Sequence, residues 1–125
     1  MNNVLKLSPL RKTWIFDLDG TLVKHNGYKI DGYDTVLEGV SQFFSQLHEE
    51  DLVIILTARS SSYKEDTIQF LNDQGIRFDH IIFDVPHGER ILINDRKPSG
   101  LATAYSHNQD RNQFNAFSYE VDESL

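Results

Sequence analysis

The chain contains no cysteine. That excludes a disulfide scaffold, a thiol nucleophile, and zinc or iron–sulfur sites built on thiolates. Basic residues are also short: 12 Lys and Arg stand against 19 Asp and Glu, for a formal net charge of −7. A duplex-binding protein carries a basic face, so this balance weighs against a nucleic-acid partner. Long apolar runs are missing; the longest, Leu52–Leu56, is far short of a membrane span. Residues 1–9 hold no apolar stretch of signal-peptide length. The expectation is a soluble cytoplasmic protein without a membrane partner. What remains is ordinary globular composition, 39% hydrophobic and 25% charged over 125 residues, which excludes a disordered or low-complexity chain. One domain spanning 1–125 is expected.

Residues 1–12 read as a short arm. Trp14-Ile15-Phe16 is a compact apolar run ending at Asp17, a buried strand broken by Gly20 and Thr21. Asn26-Gly27, inside Leu22–Ile30, predicts a flap hairpin, since both residues accept positive φ. Thr35 with Glu38 forms a capping-box pair ahead of an apolar stripe at Val36, Leu37, Val40, Phe43, Phe44 and Leu47. Leu52–Leu56 is a second buried strand, ending at Thr57. Ser62 with Glu65 predicts a further helix stopped at Gly75. Ile81-Ile82-Phe83 and Ile91-Leu92-Ile93 read as two more buried strands, and Thr103–Ser106 as a candidate one. In the tail 107–125, residues 107–115 are polar loop, and the alternation around Phe117, Tyr119 and Val121 predicts an edge strand. Uninterrupted apolar strands alternating with amphipathic helices imply an α/β fold: a three-layer, Rossmann-like parallel sheet with helices on both faces.

In such a sheet, ligands bind beyond the carboxyl ends of the strands. There the chain places Asp17, Asp19, Gly20 and Thr21; then Thr57, Ala58 and Arg59; then Asn94, Asp95, Arg96 and Lys97. Three carboxylates converging on one crevice suit a hard cation such as Mg²⁺ better than zinc, and a phosphate is its natural companion. The five histidines show no metal-ligand spacing. Thr57 alone would more often cap a helix than hold a phosphate, and Arg59 stands open between a substrate contact and a surface ion pair.

Trp14-Ile15-Phe16-Asp17-Leu18-Asp19-Gly20-Thr21 resembles the first motif of the haloacid dehalogenase (HAD) superfamily of phosphohydrolases. Thr57 sits where the superfamily has its second motif, and Asp95 where it has its fourth. The resemblance runs from residue 13 to about 106. It implies that Asp17 attacks phosphorus, that Asp19 serves as acid and then base, and that Mg²⁺ is held by Asp17, the Asp19 carbonyl and Asp95. It further implies that Thr57 and the Ala58 N–H hold phosphoryl oxygens. Two departures stand out. Asn94 replaces the first acid of a frequent acidic pair. No Lys precedes that motif in Phe83–Arg90, so Lys97 is expected to supply the missing positive charge, with Lys64 and Arg59 as weaker alternatives. No segment is long enough for a cap domain, which leaves the site open beneath the flap. Open members act on large substrates or borrow a lid from a second subunit, so a homo-oligomer is one expectation.

The expected activity is therefore a Mg²⁺-dependent phosphomonoesterase. Ile91–Leu101 and Lys24–Tyr28 resemble small uncapped members associated with capsule and surface-polysaccharide biosynthesis, which implies a sugar, polyol or amino-alcohol phosphate. His25, Asn94 and His87 are candidate substrate contacts. Leu56-Thr57-Ala58-Arg59-Ser60 is also similar to lipin-type phosphatidate phosphatases, and its Thr-x-Arg pattern to polynucleotide 3′-phosphatases. The arm makes a poor membrane-binding helix, and the acidic charge opposes the polynucleotide reading. A non-catalytic assembly module is the reading of another class; it has no need of both Asp17 and Asp19.

Overall fold

A computed structural model describes residues 4–114 and 117–125. The first three residues of the expected arm and positions 115–116 of the tail lie outside the described residues. Strand β1 (Val4–Leu7) is followed by β2 (Thr13–Asp17), helical turn α1 (Gly27–Ile30), helix α2 (Val40–Ser45) and β3 (Leu52–Leu56). A 3₁₀ turn over Ser61–Tyr63 leads into α3 (Lys64–Asp73), and β4 (His80–Ile82) and β5 (Ser118–Val121) complete the order. β2, β3 and β4 form a parallel sheet in that order, and β1 pairs in parallel with β5 in a second, two-stranded sheet. The expected α/β architecture with parallel strands is observed.

The register places Trp14 beside Val53, Phe16 beside Ile55, and Ile55 beside Ile81, so these residues share one face. That face is buried in one core with Val40 and Phe44 of α2, Leu71 of α3, and Ile76. The opposite face carries Ile15 and Ile82, which remain 49% and 52% exposed. Asp51 pins the start of the sheet: its carboxylate accepts the Lys12 N–H at 2.9 Å and the Trp14 indole N–H at 3.0 Å. Helix α3 ends as its sequence requires. Gly75 takes φ +69, and the N–H groups of Gly75 and Ile76 bond back to the carbonyls of Asn72 and Leu71.

Five expectations need correction. The arm is partly strand β1, because β5 offers it a ladder. The flap is not a simple hairpin turned at Asn26-Gly27. Val23 bridges antiparallel to Val36, with Lys24 N–H bonding Thr35 and Leu37 N–H bonding Leu22, and a helical turn fills the loop between. Helix α2 starts at Val40 rather than after Thr35, because residues 35–37 are committed to that pairing. Ile91–Ile93 is not a strand, and neither is Thr103–Ser106. The Asn94 amide bonds the Thr103 carbonyl and hydroxyl at 3.1 Å, and these local side-chain bonds replace a ladder.

Candidate active site

β2 runs out at Asp17, opposite Leu56, so Asp17 and Thr57 meet at the same end of the sheet. The chain then turns tightly. The Leu18 carbonyl accepts the N–H groups of Thr21, Leu22 and Val23, and Gly20 takes φ +82. Leu18 is buried in the core, and the carboxylates of Asp17 and Asp19 flank it in sequence. Asp17 accepts from the Thr21 hydroxyl at 3.2 Å and from the Arg90 guanidinium at 3.0 Å, with its side chain still 35% exposed.

Asp19 is held differently. Arg59, only 4% exposed, donates to its two oxygens at 2.7 and 3.3 Å. The same guanidinium reaches both oxygens of Asp34, at 2.9 and 3.0 Å, and the Thr67 hydroxyl at 3.0 Å. Tyr28 lies against it, with the guanidinium carbon 3.8 Å from the ring centre. Burial works to lower the Arg59 pKa, but the hydrogen bonds and charges of Asp34 and Asp19 outweigh it and hold the value above the ordinary one. Arg59 is a fixed cation. Beside it lies a cleft lined by Tyr28, Tyr33, Asp34, Tyr63 and Asp66.

The loop after β3 is equally fixed. The Thr57 hydroxyl oxygen accepts the Arg59 N–H at 3.0 Å, which is a turn-capping bond, and its own O–H stays available to donate. Asp84, at φ +59, donates its N–H to the Arg59 carbonyl and accepts the Ser61 N–H. The Ala58 N–H makes no hydrogen bond among the described residues. As for a metal, no group of three His, Cys, Asp or Glu among the described residues is arranged to hold one. Mg²⁺ needs fewer: one or two carboxylates, with water and phosphate oxygens completing the shell. The solvent-open Asp17 fits that requirement in kind.

A carboxylate pair two residues apart at a parallel strand end, beside a hydroxyl and fixed cations, is an arrangement for phosphoryl chemistry. The sequence profile of the NLI interacting factor-like phosphatases matches residues 12–87, more than half of the chain. The chain belongs to this phosphatase family. No curated protein sequence matches it. Two solved structures do. One, described as the structure of a Pnkp1/Rnl/Hen1 complex, matches at 28% identity and a TM-score of 0.51, over 66% of this chain and 31% of that one. The other, described as the Pnkp1/Rnl/Hen1 RNA repair complex, matches at 26% identity and a TM-score of 0.52, over 72% and 30%. The chain therefore spans about a third of the length of the chains it resembles.

The structure brings Asp17, Asp19, Thr57, Ala58 and Arg59 to one strand end. His25 is there too: a side chain on Gly20 would lie 3.6 Å from its imidazole. Other expected residues are not brought in. Lys97 is exposed, closes a turn with Gly100 and Leu101, and makes no ion pair among the described residues. Lys64 opens α3 at the surface, likewise unpaired. Asp95 and Asn94 fold onto Thr103 in an exposed segment, and His87 is exposed. The cation that meets Asp17 is Arg90. It is the one basic side chain, histidine aside, in the stretch Phe83–Arg90 where a Lys was sought, and that was the available signal. Asp34 had no comparable signal, since its partner Arg59 lies 25 residues away.

Proposed function

We propose that this phosphatase hydrolyses a phosphomonoester through an aspartyl-phosphate on Asp17. The observation that supports it is the contrast between the two carboxylates: Asp17 is open to solvent and Asp19 is clamped by Arg59. A Asp17 oxygen attacks phosphorus, and the bond from phosphorus to the alcohol oxygen breaks. Asp19, protonated for this step, gives its proton to that oxygen, and Arg59 then holds the carboxylate that results. Arg59 leaves a lone-pair position open on each Asp19 oxygen, so the carboxyl is oriented without being blocked. Water then attacks phosphorus, Asp19 takes its proton, and phosphate leaves with Asp17 restored. Arg90, Thr57 and the Ala58 N–H offset charge on the phosphoryl oxygens in this reading.

Mg²⁺ would be held by Asp17 and the Asp19 carbonyl, and when bound it offsets the repulsion between carboxylate and phosphate. Asp95 is proposed as a further ligand. Among the described residues β2 is an edge strand, while Ile91 and Ile93 stand 83% and 90% exposed. Pairing of that segment with β2 would bury them, a favourable change for large apolar side chains.

The substrate proposed first is a small sugar, polyol or amino-alcohol phosphate of surface-polysaccharide synthesis, on the resemblance of Ile91–Leu101 and Lys24–Tyr28. A second reading, a polynucleotide 3′-phosphatase, has its own support in the RNA repair complex among the solved structures. Turnover of p-nitrophenyl phosphate with Mg²⁺, abolished by EDTA, is the expected result. A panel of sugar phosphates and 3′-phosphorylated oligonucleotides then separates the two substrates. Absence of any turnover with Mg²⁺ would refute the hydrolase reading.

A further inference from the structure

Residues 110–114 lie beyond the stretch matched by the phosphatase family, yet they return to the loop that carries the site. Asn112, in the left-handed region at φ +63, donates its N–H to the Gly20 carbonyl at 2.8 Å. Its side-chain oxygen accepts the His25 N–H at 2.7 Å. Gln113 bonds back to Asp110, closing the turn. Phe114 then packs on Phe43, ring centres 5.3 Å apart. Two glycines receive the segment. A Cβ on Gly20 would stand 3.3 Å from the Arg111 side chain, and a Cβ on Gly39 only 2.6 Å from the Phe114 carbonyl oxygen.

We propose that Asn112 is a positioning residue for the catalytic loop, acting as a clamp across Gly20 and His25. The inference rests on the roles given above to Asp17 and Asp19. The Gly20 carbonyl and the Thr21 N–H belong to one peptide unit. Asn112 holds the carbonyl side, and Leu18 holds the N–H side at 3.2 Å. Thr21, so oriented, reaches Asp17 through its hydroxyl. The second bond, to His25, fixes the far end of the same loop. The clamp thus sets the orientation of the nucleophile without touching it.

Three variants test this in the full chain. Asn112→Gly keeps the left-handed backbone and the bond to Gly20 but removes the acceptor for His25. Asn112→Asp keeps the acceptor, and Asp tolerates the same backbone region. Asn112→Ala removes the acceptor and strains the backbone. Hydrogen exchange at the His25 amide and kinetics on p-nitrophenyl phosphate are read together. Asn112→Gly should speed exchange and lower kcat about threefold to tenfold, as loss of one oriented hydrogen bond allows, with KM within about twofold. Asn112→Ala should do more, and Asn112→Asp should restore both. Unchanged exchange in Asn112→Gly overturns the clamp. Faster exchange with unchanged kcat shows a structural tether only and overturns positioning. A wild type without turnover would instead fault the phosphomonoesterase reading.

Discussion

Arg59 stands 2.7 Å from Asp19 while its other arm stands 2.9 Å from Asp34. One buried guanidinium therefore orders two carboxylates from opposite ends of the flap, and the Tyr28 ring lies on it from within that flap. A planar fork with five donors can do this; a lysine ammonium, with three donors at one point, cannot.

Arg59→Lys should therefore fail to substitute. Loss of the fork leaves Asp34 and Asp19 short of partners in a site that water reaches poorly. The cost should be about 3 kcal/mol, as for a buried pair that loses one member. Thermal unfolding checks it: a Tm close to wild type would show that the network contributes little. Asp34→Asn, which keeps one acceptor oxygen, should cost less than Arg59→Lys.

Arg90 and Lys97 make opposite predictions. Arg90 is 3.0 Å from Asp17, and Lys97 makes no ion pair among the described residues. Arg90→Ala should lower kcat/KM on the order of 10²-fold, by analogy with other preorganised transition-state donors. Lys97→Ala should stay within about twofold of wild type. Steady-state kinetics on the two variants decides between them, and the reverse ranking would return the charge to Lys97.

How far the site was legible follows from these residues. The strand-end positions of Asp17, Asp19 and Thr57 were legible because each ends or follows an apolar strand. Gly75 was legible as a helix stop because only the αL position beyond a helix demands it. The Arg59–Asp34 bridge was not, since it joins residues 25 apart that no periodicity links. Asn26 shows the intermediate case. Both Asn26 and Gly27 were read as accepting positive φ; Asn26 takes φ +55, Gly27 does not, and the chain runs on into a helical turn whose Tyr28 packs on Arg59. Ile91–Ile93 has strand composition, but composition alone does not supply a partner strand.

Alkaline pH should weaken the β5 contact. Burial, and then the charge of Asp51, hold the Tyr119 phenol above its ordinary value. With the folded value raised, the contribution to stability is full below the unfolded value of about 10 and is lost as pH rises through the folded one. Tm should fall over that range in the wild type and fall less in Tyr119→Phe. Equal slopes in the two proteins would show that Tyr119 is not the group responsible.

Asp17→Asn should abolish turnover, because an amide oxygen is a poor nucleophile and cannot form the acyl phosphate. Asp19→Asn should lose most activity while leaving the fold and the Asp17 site in place. Retained kcat in Asp17→Asn would remove the covalent route.

Covalent capture tests the central claim most directly. Acid quenching during turnover, followed by borohydride, reduces an acyl phosphate to the alcohol and leaves free carboxylates unchanged. Mass spectrometry of the peptides should then find reduction at Asp17 alone, dependent on substrate and absent in Asp17→Asn. Turnover with no reduced residue, or with reduction at another carboxylate, would contradict the account.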